Sequence, residues 1–292
     1  MTQADAALED KPARSSGVYA KAVRRFMRNR MAVAGLVFLA IVILAAVFAP
    51  WVAPYRPDEI FWSSIRQPPS AQFLLGTDEI GRDILSRLIY GARVSFTIVF
   101  GSIAIALALG AIIGLVSGFF GGVVDSIIMR IVDAMLAFPT LILALGIIAV
   151  LGPNLFNAML AIAITNVPDF ARLVRGQVLV IREQDFIQAA RAMGASSIRI
   201  MARHLWPSVI GSVIIYASLR TSAALLAESS LAFLGLGVPP PTPTWGQMLS
   251  TSLSYMSSWW LGVFPGLAIF LAVLAFNFVG DGVRDALDAR TK

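Results

Sequence analysis

The residues best suited to chemistry lie in one charged segment, DFIQAARAMGASSIRIMARHLWPSVI (185–210), between two apolar stretches. This segment contains the only histidine of the chain, His204, and three arginines, Arg191, Arg199 and Arg203. A histidine can act as a general acid or base, or bind a metal. A metal site needs several ligands, and no cysteine or nearby acidic cluster accompanies this histidine. We therefore expect His204 to pack or hydrogen-bond rather than to hold a metal or catalyse a reaction.

The spacing of polar and small residues predicts two short helices joined by a glycine turn. Asp185 is placed to cap the first helix. Gly194 is placed to end it, because glycine adopts the left-handed conformation that follows many helices. Ser196 or Ser197 is placed to cap a second helix, SIRIMARHLW. Pro207 suits the first turn of the apolar helix that follows.

The first of these helices offers a small, smooth surface formed by Ala189, Ala190 and Gly194. Such a surface, flanked by arginines, suits the docking of another protein. An amphipathic connector lying among lipid headgroups is the alternative interpretation, and the residues alone leave both open. The large apolar residues are expected to pack inward: Ile187, Met193, Ile198, Met201 and Leu205.

The composition indicates an integral membrane protein. Of the 292 residues, 58% are hydrophobic and 14% are charged, and the mean hydropathy is +0.78. A soluble domain carries about 25% charged residues. The net charge is +6, but the basic residues lie in short segments beside apolar runs, which favours retention in the cytoplasm over nucleic-acid binding. The absence of cysteine from the sequence excludes disulfides, thiolate metal sites and cysteine nucleophiles.

Six apolar runs are predicted to be membrane-spanning helices, with both termini in the cytoplasm. The first run is longer than the apolar region of a signal peptide and is expected to be retained. Basic residues dominate before the first run and between the fourth and fifth, which places both segments in the cytoplasm. The predicted spans are 31–53, 94–120, 129–151, 155–167, 208–231 and 260–279.

The expected fold class is therefore all-α. Gly110, Gly114 and Gly118 recur every four residues, so another helix of the same chain is expected to approach that face closely, in preference to a second copy. Pro139 is expected to kink the third span and Pro168 to interrupt the fourth. The predicted regions are an N-terminal tail with a basic surface helix (1–30), the first span (31–53), an external loop (54–91), a core of five spans (92–280) with the charged loop 185–207, and a cytoplasmic tail (281–292).

Two groups of charged residues outside this segment can each be interpreted in more than one way. Arg220 and Glu228 lie two turns apart in the fifth predicted span, where charges usually face a bundle interior or an aqueous cavity. One interpretation is that they line a translocation pathway. The other is that they form a structural ion pair or that Glu228 lies at the outer membrane interface. Asp78, Arg82 and Asp83 in the external loop either contact an external protein or hold the loop together.

The segment QAARAMGASSIRIMARHLWP is similar to the EAA loop of membrane subunits of binding-protein-dependent ABC importers. In that family the pattern is E-A-A, three residues, G, nine residues, I, any residue, L-P. Gln188 stands in place of the glutamate, His204 in place of the isoleucine, and Trp206 in place of the leucine. The residues that match the pattern at its spacing are Ala189, Ala190, Gly194 and Pro207.

Three further stretches resemble the C-type permease of dipeptide, oligopeptide and nickel importers, as does the tail GDGVRDALDAR. They are RRFMRNRMAVAGLVFL, LGTDEIGRDILSRLIYGARVSF and LAFLGLGVPPPTPTWG. The resemblance implies a type I ABC importer-like fold with a coupling helix. It assigns ATPase coupling to Gln188, Ala189, Ala190, Arg191, Gly194, Ala195, Ser196, His204 and Pro207.

The resemblance also implies an assembly in the bacterial inner membrane. Its other members are a second, non-identical permease, one or two ATPase subunits that bind ATP and Mg²⁺, and an external solute-binding protein. This chain is not expected to bind or hydrolyse ATP, because it contains no G-x-x-x-x-G-K-[ST] phosphate loop. No cofactor is expected in this subunit. Di- or oligopeptides are the expected substrates, with glutathione or nickel chelates as alternatives. An intramembrane enzyme and a passive channel are the alternatives from other classes. The enzyme is disfavoured because GLVSG lacks the spacing of a serine nucleophile motif.

Overall fold

The computed structural model describes residues 17–287, and its regular structure is helical apart from one isolated bridge between Thr77 and Asp83. The expected all-α fold is confirmed for this part of the chain. Residues 1–16 of the predicted N-terminal tail and residues 288–292 of the predicted C-terminal tail lie outside it.

Twelve α-helices follow one another in the described part of the chain, and short 3₁₀ or π turns flank some of them. A π turn, Met201–Leu205, joins α9 to α10. The helices are α1 Gly17–Arg28, α2 Arg30–Val47, α3 Ala49–Val52, α4 Ile84–Phe120, α5 Gly122–Leu136, α6 Thr140–Leu151, α7 Leu155–Ile181, α8 Asp185–Ala192, α9 Ser197–Ile200, α10 Trp206–Phe233, α11 Trp245–Ser252 and α12 Trp260–Leu287.

Four helical stretches between residues 17 and 287 are long and apolar enough to cross a membrane. They are α2, α4, the continuous stretch Ser197–Phe233 and α12. The pair α5 and α6 makes a fifth if it is counted as one bent span. The helix α7 has the length of a span but also carries Asp169, Arg172 and Arg175, so the count of six stays a prediction.

The structure corrects two expectations about proline. The third predicted span is broken rather than kinked at Pro139, because α5 and α6 meet at 92°. The fourth is not interrupted at Pro168, since α7 continues through it to Ile181. Neighbouring residues of Pro168, including Val167 and Phe170, are buried, so packing against other helices stabilises a helix that proline alone disfavours.

The glycine face of α4 packs against α7, as the intrachain interpretation predicted. A Cβ atom on Gly110 would lie 2.5 Å from the Cβ of Phe170, and one on Gly114 would lie 2.5 Å from the carbonyl oxygen of Ala171. These distances are shorter than van der Waals contact, so only glycine permits this approach. The pair α4 and α7 forms the most extensive helix–helix contact of the described chain.

Replacing Gly114 with alanine is therefore expected to destabilise the chain by about 1–3 kcal/mol, the usual cost of overpacking. The matched control is Gly146→Ala in α6, where an added Cβ would meet nothing within 4 Å. Thermal unfolding of the two purified variants in the same detergent measures the difference. Equal melting temperatures would contradict the close packing of α4 on α7.

Candidate functional site

The charged segment begins with α8, whose first residue is Asp185. Gln184, the residue before the helix, has an extended backbone, and its side chain makes no capping hydrogen bond. The expectation that Asp185 caps the helix is therefore wrong by one position. A carboxylate in the first turn is still favourable, because it lies at the positive end of the helix dipole.

A glycine turn ends α8, as the sequence predicted. Gly194 has φ +76°, in the left-handed region. Its N–H donates to the carbonyl of Arg191 at 2.9 Å, and the N–H of Ala195 donates to the carbonyl of Ala190 at 3.0 Å. These bonds satisfy carbonyls at the end of the helix and fix the direction in which the chain leaves it.

The second helix of the segment is continuous with the fifth predicted span. The Oγ of Ser196 accepts from the N–H of Arg199, so Ser196 is confirmed as the cap. From Ser197 the helical chain runs without a break to Phe233, which corrects the expectation of a separate short helix. The glycine turn is therefore followed directly by a helix that is long and apolar enough to cross a membrane.

A π turn explains how Pro207 lies inside this continuous helix. The N–H of Trp206 donates to the carbonyl of Met201, five residues back, rather than four. The wider turn accommodates a proline ring that would otherwise clash with the preceding turn. The Oγ of Ser208 donates to the carbonyl of His204 at 2.7 Å, which satisfies one of the carbonyls in this region.

The large apolar residues of the segment divide into two groups. Ile187 and Leu205 are fully buried, as predicted. Met193 is 82% exposed and Ile198 is 75% exposed, so the expectation that they pack inward is wrong. They flank the glycine turn and leave an apolar surface for which the described chain offers no partner.

A cleft of about 440 Å³ opens between α8 and the helix that follows the turn. The ring of His204 lies tilted beside the ring of Phe186, 6.3 Å between centroids, which is a packing contact of the kind expected from the sequence. No described acidic residue forms an ion pair with Arg199 or Arg203 on the wall of the cleft. The residues that line it are Phe186, Ala190, Met193, Ala195, Arg199, Arg203 and His204.

Three of the predicted coupling residues, Ala190, Ala195 and His204, line this cleft. Gln188, Ala189, Arg191, Ser196 and Pro207 are exposed, whereas Ala190 is buried, and Ala195 and His204 are partly buried. The guanidinium of Arg191 lies 5.1 Å from the ring centroid of Phe119, which ties α8 to the end of α4. The sequence prediction missed Phe186, Met193 and Ile198 as surface residues. Their position around the glycine turn was the available signal.

Arg220 and Glu228 do not pair with each other. Arg220 forms an ion pair with Asp169 of α7, and its Nε donates to the hydroxyl of Tyr216 at 2.8 Å. Glu228 is buried and accepts from the Oγ of Ser229 at 3.3 Å. The geometry thus supports an internal ion pair for Arg220, with a partner that the sequence did not identify, and places Glu228 inside the bundle rather than at an outer surface.

Asp78, Arg82 and Asp83 are buried and bind within their own loop. The Nε of Arg82 donates to Asp78 at 2.6 Å, and the Nε of Arg87 lies 3.3 Å from the same carboxylate. Asp83 caps α4, because its carboxylate accepts from the N–H of Ser86 at 2.8 Å. These contacts support the interpretation that the three residues hold the loop together.

Two further ion pairs join α5 to α7. Arg175 donates through both Nε and Nη2 to the carboxylate of Asp125 at 2.6 Å. Arg172 donates to Asp133 at 2.6 Å. The first pair is partly buried and bidentate, whereas the second is exposed, so Arg175 is the stronger of the two attachments.

Within residues 17–287 no group of three or more histidine, aspartate or glutamate side chains could hold a metal ion. What the geometry provides beside the glycine turn is a surface with exposed apolar residues and two arginines, Arg199 and Arg203, that form no ion pair with a described acidic residue.

Comparison with known proteins gives the class of this chain. Residues 106–292 match the family of binding-protein-dependent transport system inner membrane components. Residues 19–69 match the N-terminal TM domain of oligopeptide transport permease C. The chain belongs to the family of binding-protein-dependent transport system inner membrane components, and is an ABC transporter permease subunit of the inner membrane that crosses it several times.

Several curated relatives align along nearly the whole chain. The di/tripeptide transport system permease protein DppC of Pseudomonas aeruginosa (strain UCBPP-PA14) is 46% identical over 274 residues, covering 91% of this chain and 90% of the relative. The dipeptide transport system permease protein DppC of Alkalihalophilus pseudofirmus is 45% identical, covering 93% and 90%. The glutathione transport system permease protein GsiD of Escherichia coli O157:H7 is 44% identical, covering 92% and 89%.

Membership of this family settles what kind of molecule the chain is. It is a permease component rather than an enzyme, and its family works without a cofactor in this subunit. A binding-protein-dependent system includes a solute-binding protein and an ATPase as partners.

Proposed function

We propose that this chain forms half of the translocation pathway of a bacterial ABC importer for short peptides. Relatives of 46% and 45% identity are named for di- and tripeptide or dipeptide transport. Another of 44% identity is named for glutathione, which is itself a small peptide. Short peptides are therefore the substrate class common to these names, with glutathione as the specific alternative.

The single observation that carries the coupling function is the exposed apolar surface around the glycine turn. We define the coupling surface as Phe186 and Met193, the cleft that both of them line, and the exposed Ile198 that follows the glycine turn. Apolar residues exposed beside a cleft are typical of a protein-binding site. Arg199 and Arg203 add positive charge, so the ATPase region that binds here is expected to combine apolar and acidic residues.

The continuous helix Ser197–Phe233 gives this surface a mechanical role. When ATP closes the ATPase subunits, α8 and the glycine turn follow the bound surface, and the stretch from Ser197 moves as one lever. The ion pair between Arg220 and Asp169 couples this lever to α7. Rigid-body motion of helices about an interface then opens the pathway to the other side of the membrane.

The proposed assembly contains this chain, a second and non-identical permease, one or two ATPase subunits and an extracytoplasmic solute-binding protein. In this proposal the chain has six spans with both termini in the cytoplasm, so the coupling surface lies on the ATPase side of the membrane. This topology counts α7 as a span despite its charges, which the ion pairs of Arg172, Arg175 and Asp169 compensate.

Transport by the reconstituted complex tests the substrate class. Vesicles containing the complex, its binding protein and internal ATP are expected to accumulate labelled di- and tripeptides, and to accumulate little without ATP. Unlabelled glutathione added in excess shows whether it competes for the same pathway. Uptake of a nickel chelate with no uptake of peptides would contradict the peptide assignment, and uptake independent of ATP would indicate a channel.

Replacing Gly194 with valine is expected to lower ATPase stimulation by loaded binding protein about tenfold. A non-glycine residue at φ +76° costs roughly 1–2 kcal/mol, and a β-branched one changes the angle at which α8 leaves the turn. The added side chain has open space, since a Cβ on Gly194 meets nothing within 4 Å. Within this chain the substitution therefore changes the backbone geometry without a side-chain clash.

The matched control for this prediction is Gly176→Val in α7. A Cβ on Gly176 also meets nothing within 4 Å, but its backbone is helical. Stimulation in the control is expected to stay near the wild-type value. Normal stimulation and normal transport in Gly194→Val would argue against the coupling role of the turn.

A further inference from the structure

The helix α1 is held against the bundle by one of its faces. The ring of Phe26 lies against Gly282 of α12, where an added Cβ would be 2.9 Å from its Cε2 atom. After the helix, the side-chain amide of Asn29 donates to Asp285 at 3.4 Å, and its oxygen accepts from the N–H of Ala32 at 3.2 Å. These contacts fix α1 at the junction of α2 and α12.

The remaining surface of α1 has an apolar stripe beside a basic one. Val23 and Met27 lie four residues apart on α1 and are both more than half exposed. Arg24 and Arg28 also lie four residues apart and are exposed. Each stripe therefore forms one face of the helix, and the two lie side by side along it.

The position of α1 places this surface at the membrane rather than at the coupling surface. One residue, Asn29, separates α1 from the candidate span α2. Gly280, close to the Gly282 that contacts α1, lies beside Leu219 of α10. From Ser197 to Leu219 the helical chain rises roughly 30 Å at 1.5 Å per residue, so α1 is distant from the glycine turn.

We propose that α1 is a binding surface for the headgroups of anionic phospholipids. Arg24, Arg28 and Arg30 contact the headgroup phosphates, while Val23 and Met27 insert among the upper acyl chains. This is the arrangement of an interfacial amphipathic helix, and arginine binds phosphate with several donors at once. No described acidic residue forms an ion pair with these three arginines, so their charge is available to lipid.

Anionic lipid is favoured over a protein partner because α1 lies directly beside a candidate membrane span. One residue, Asn29, separates α1 from α2. A helix joined this closely to a span is expected at the level of the headgroups, where its exposed arginines meet phosphate and its exposed apolar residues meet the upper acyl chains.

The experiment uses the whole purified complex, stripped of lipid and titrated with short-chain phosphatidylglycerol or phosphatidylcholine. Native mass spectrometry counts the bound lipids. The wild type is expected to bind phosphatidylglycerol more tightly than phosphatidylcholine. Its affinity for phosphatidylglycerol is expected to fall as the salt concentration rises. Each arginine near the surface contributes about 1 kcal/mol, so Arg24→Gln with Arg28→Gln is expected to weaken phosphatidylglycerol binding about 25-fold.

Three further variants separate lipid binding from its alternatives. Arg24→Lys with Arg28→Lys is expected to keep most of the affinity, because the charge remains. Arg56→Gln with Arg93→Gln, which removes two exposed arginines elsewhere, is expected to bind like the wild type. Met27→Ser is expected to weaken binding several-fold through loss of apolar contact.

Equal affinity for the two lipids, or unchanged phosphatidylglycerol binding in the double glutamine variant, would overturn the proposal. So would loss of the ATPase subunits from that variant while its lipid affinity stays unchanged, because α1 would then be a protein-docking helix. An equal loss of affinity in the Arg56 and Arg93 control would also overturn it, since net charge alone would explain the binding.

Discussion

Met193→Glu is expected to lower ATP-driven transport at least 30-fold while leaving the isolated chain folded. Met193 is 82% exposed within the coupling surface, so its replacement removes little contact inside the chain. In the assembled complex the same position is proposed to be covered by the ATPase. Loss of a central interface residue costs about 2 kcal/mol or more, and an unpaired carboxylate in an apolar contact adds a desolvation penalty.

The control for this variant is Met256→Glu. Met256 is 78% exposed and lies between α11 and α12, away from the coupling surface. Its variant is expected to transport at close to the wild-type rate, and both variants are expected to unfold within about 0.5 kcal/mol of the wild type. Transport and ATPase co-purification that remain normal in Met193→Glu would show that the coupling surface is not where the ATPase binds.

The second large effect is expected in the loop between α3 and α4, where Asp78→Ala should destabilise the protein by about 3–5 kcal/mol. The carboxylate of Asp78 contacts the buried guanidinium groups of Arg82 and Arg87. It also accepts from the backbone N–H groups of Ile80 at 3.1 Å and Arg82 at 2.9 Å. Its removal leaves two buried cations with less compensation and two N–H groups without their acceptor.

Thermal or denaturant unfolding of the purified protein measures this loss. The matched control is Asp58→Ala, which breaks the exposed ion pair with Arg56 at 3.3 Å and is expected to cost less than about 1 kcal/mol. If both variants lost the same small amount, the loop would not depend on the Asp78 cluster, and its burial would have no structural role.

Local signals in the sequence were sufficient for the turn at the centre of the site. Gly194 and Ser196 were predicted correctly because a helix end depends on residues within one turn of it. The face formed by Gly110, Gly114 and Gly118 was predicted for a similar reason, since helical spacing alone puts them together. The family was identified from motifs distributed along most of the chain.

Features that depend on distant residues were not predictable. The partner of Arg220 is Asp169, on another helix, and no spacing rule connects them. The continuation of α7 through Pro168 depends on burial against neighbouring helices, which overrides a local preference against helix. Met193 and Ile198 were wrongly assigned to the core, because the sequence does not distinguish an exposed apolar residue from one that packs against its own chain.

The most direct test of the central claim is site-specific cross-linking from the glycine turn. The sequence contains no cysteine, so Met193→Cys introduces a unique thiol into this subunit, and Met256→Cys provides an equally exposed control. In an assembled complex that transports peptide, a short thiol-reactive cross-linker is expected to join Met193→Cys to an ATPase subunit and to leave Met256→Cys unjoined. A transport-active complex in which Met193→Cys forms no adduct with the ATPase would contradict the assignment of this surface to coupling.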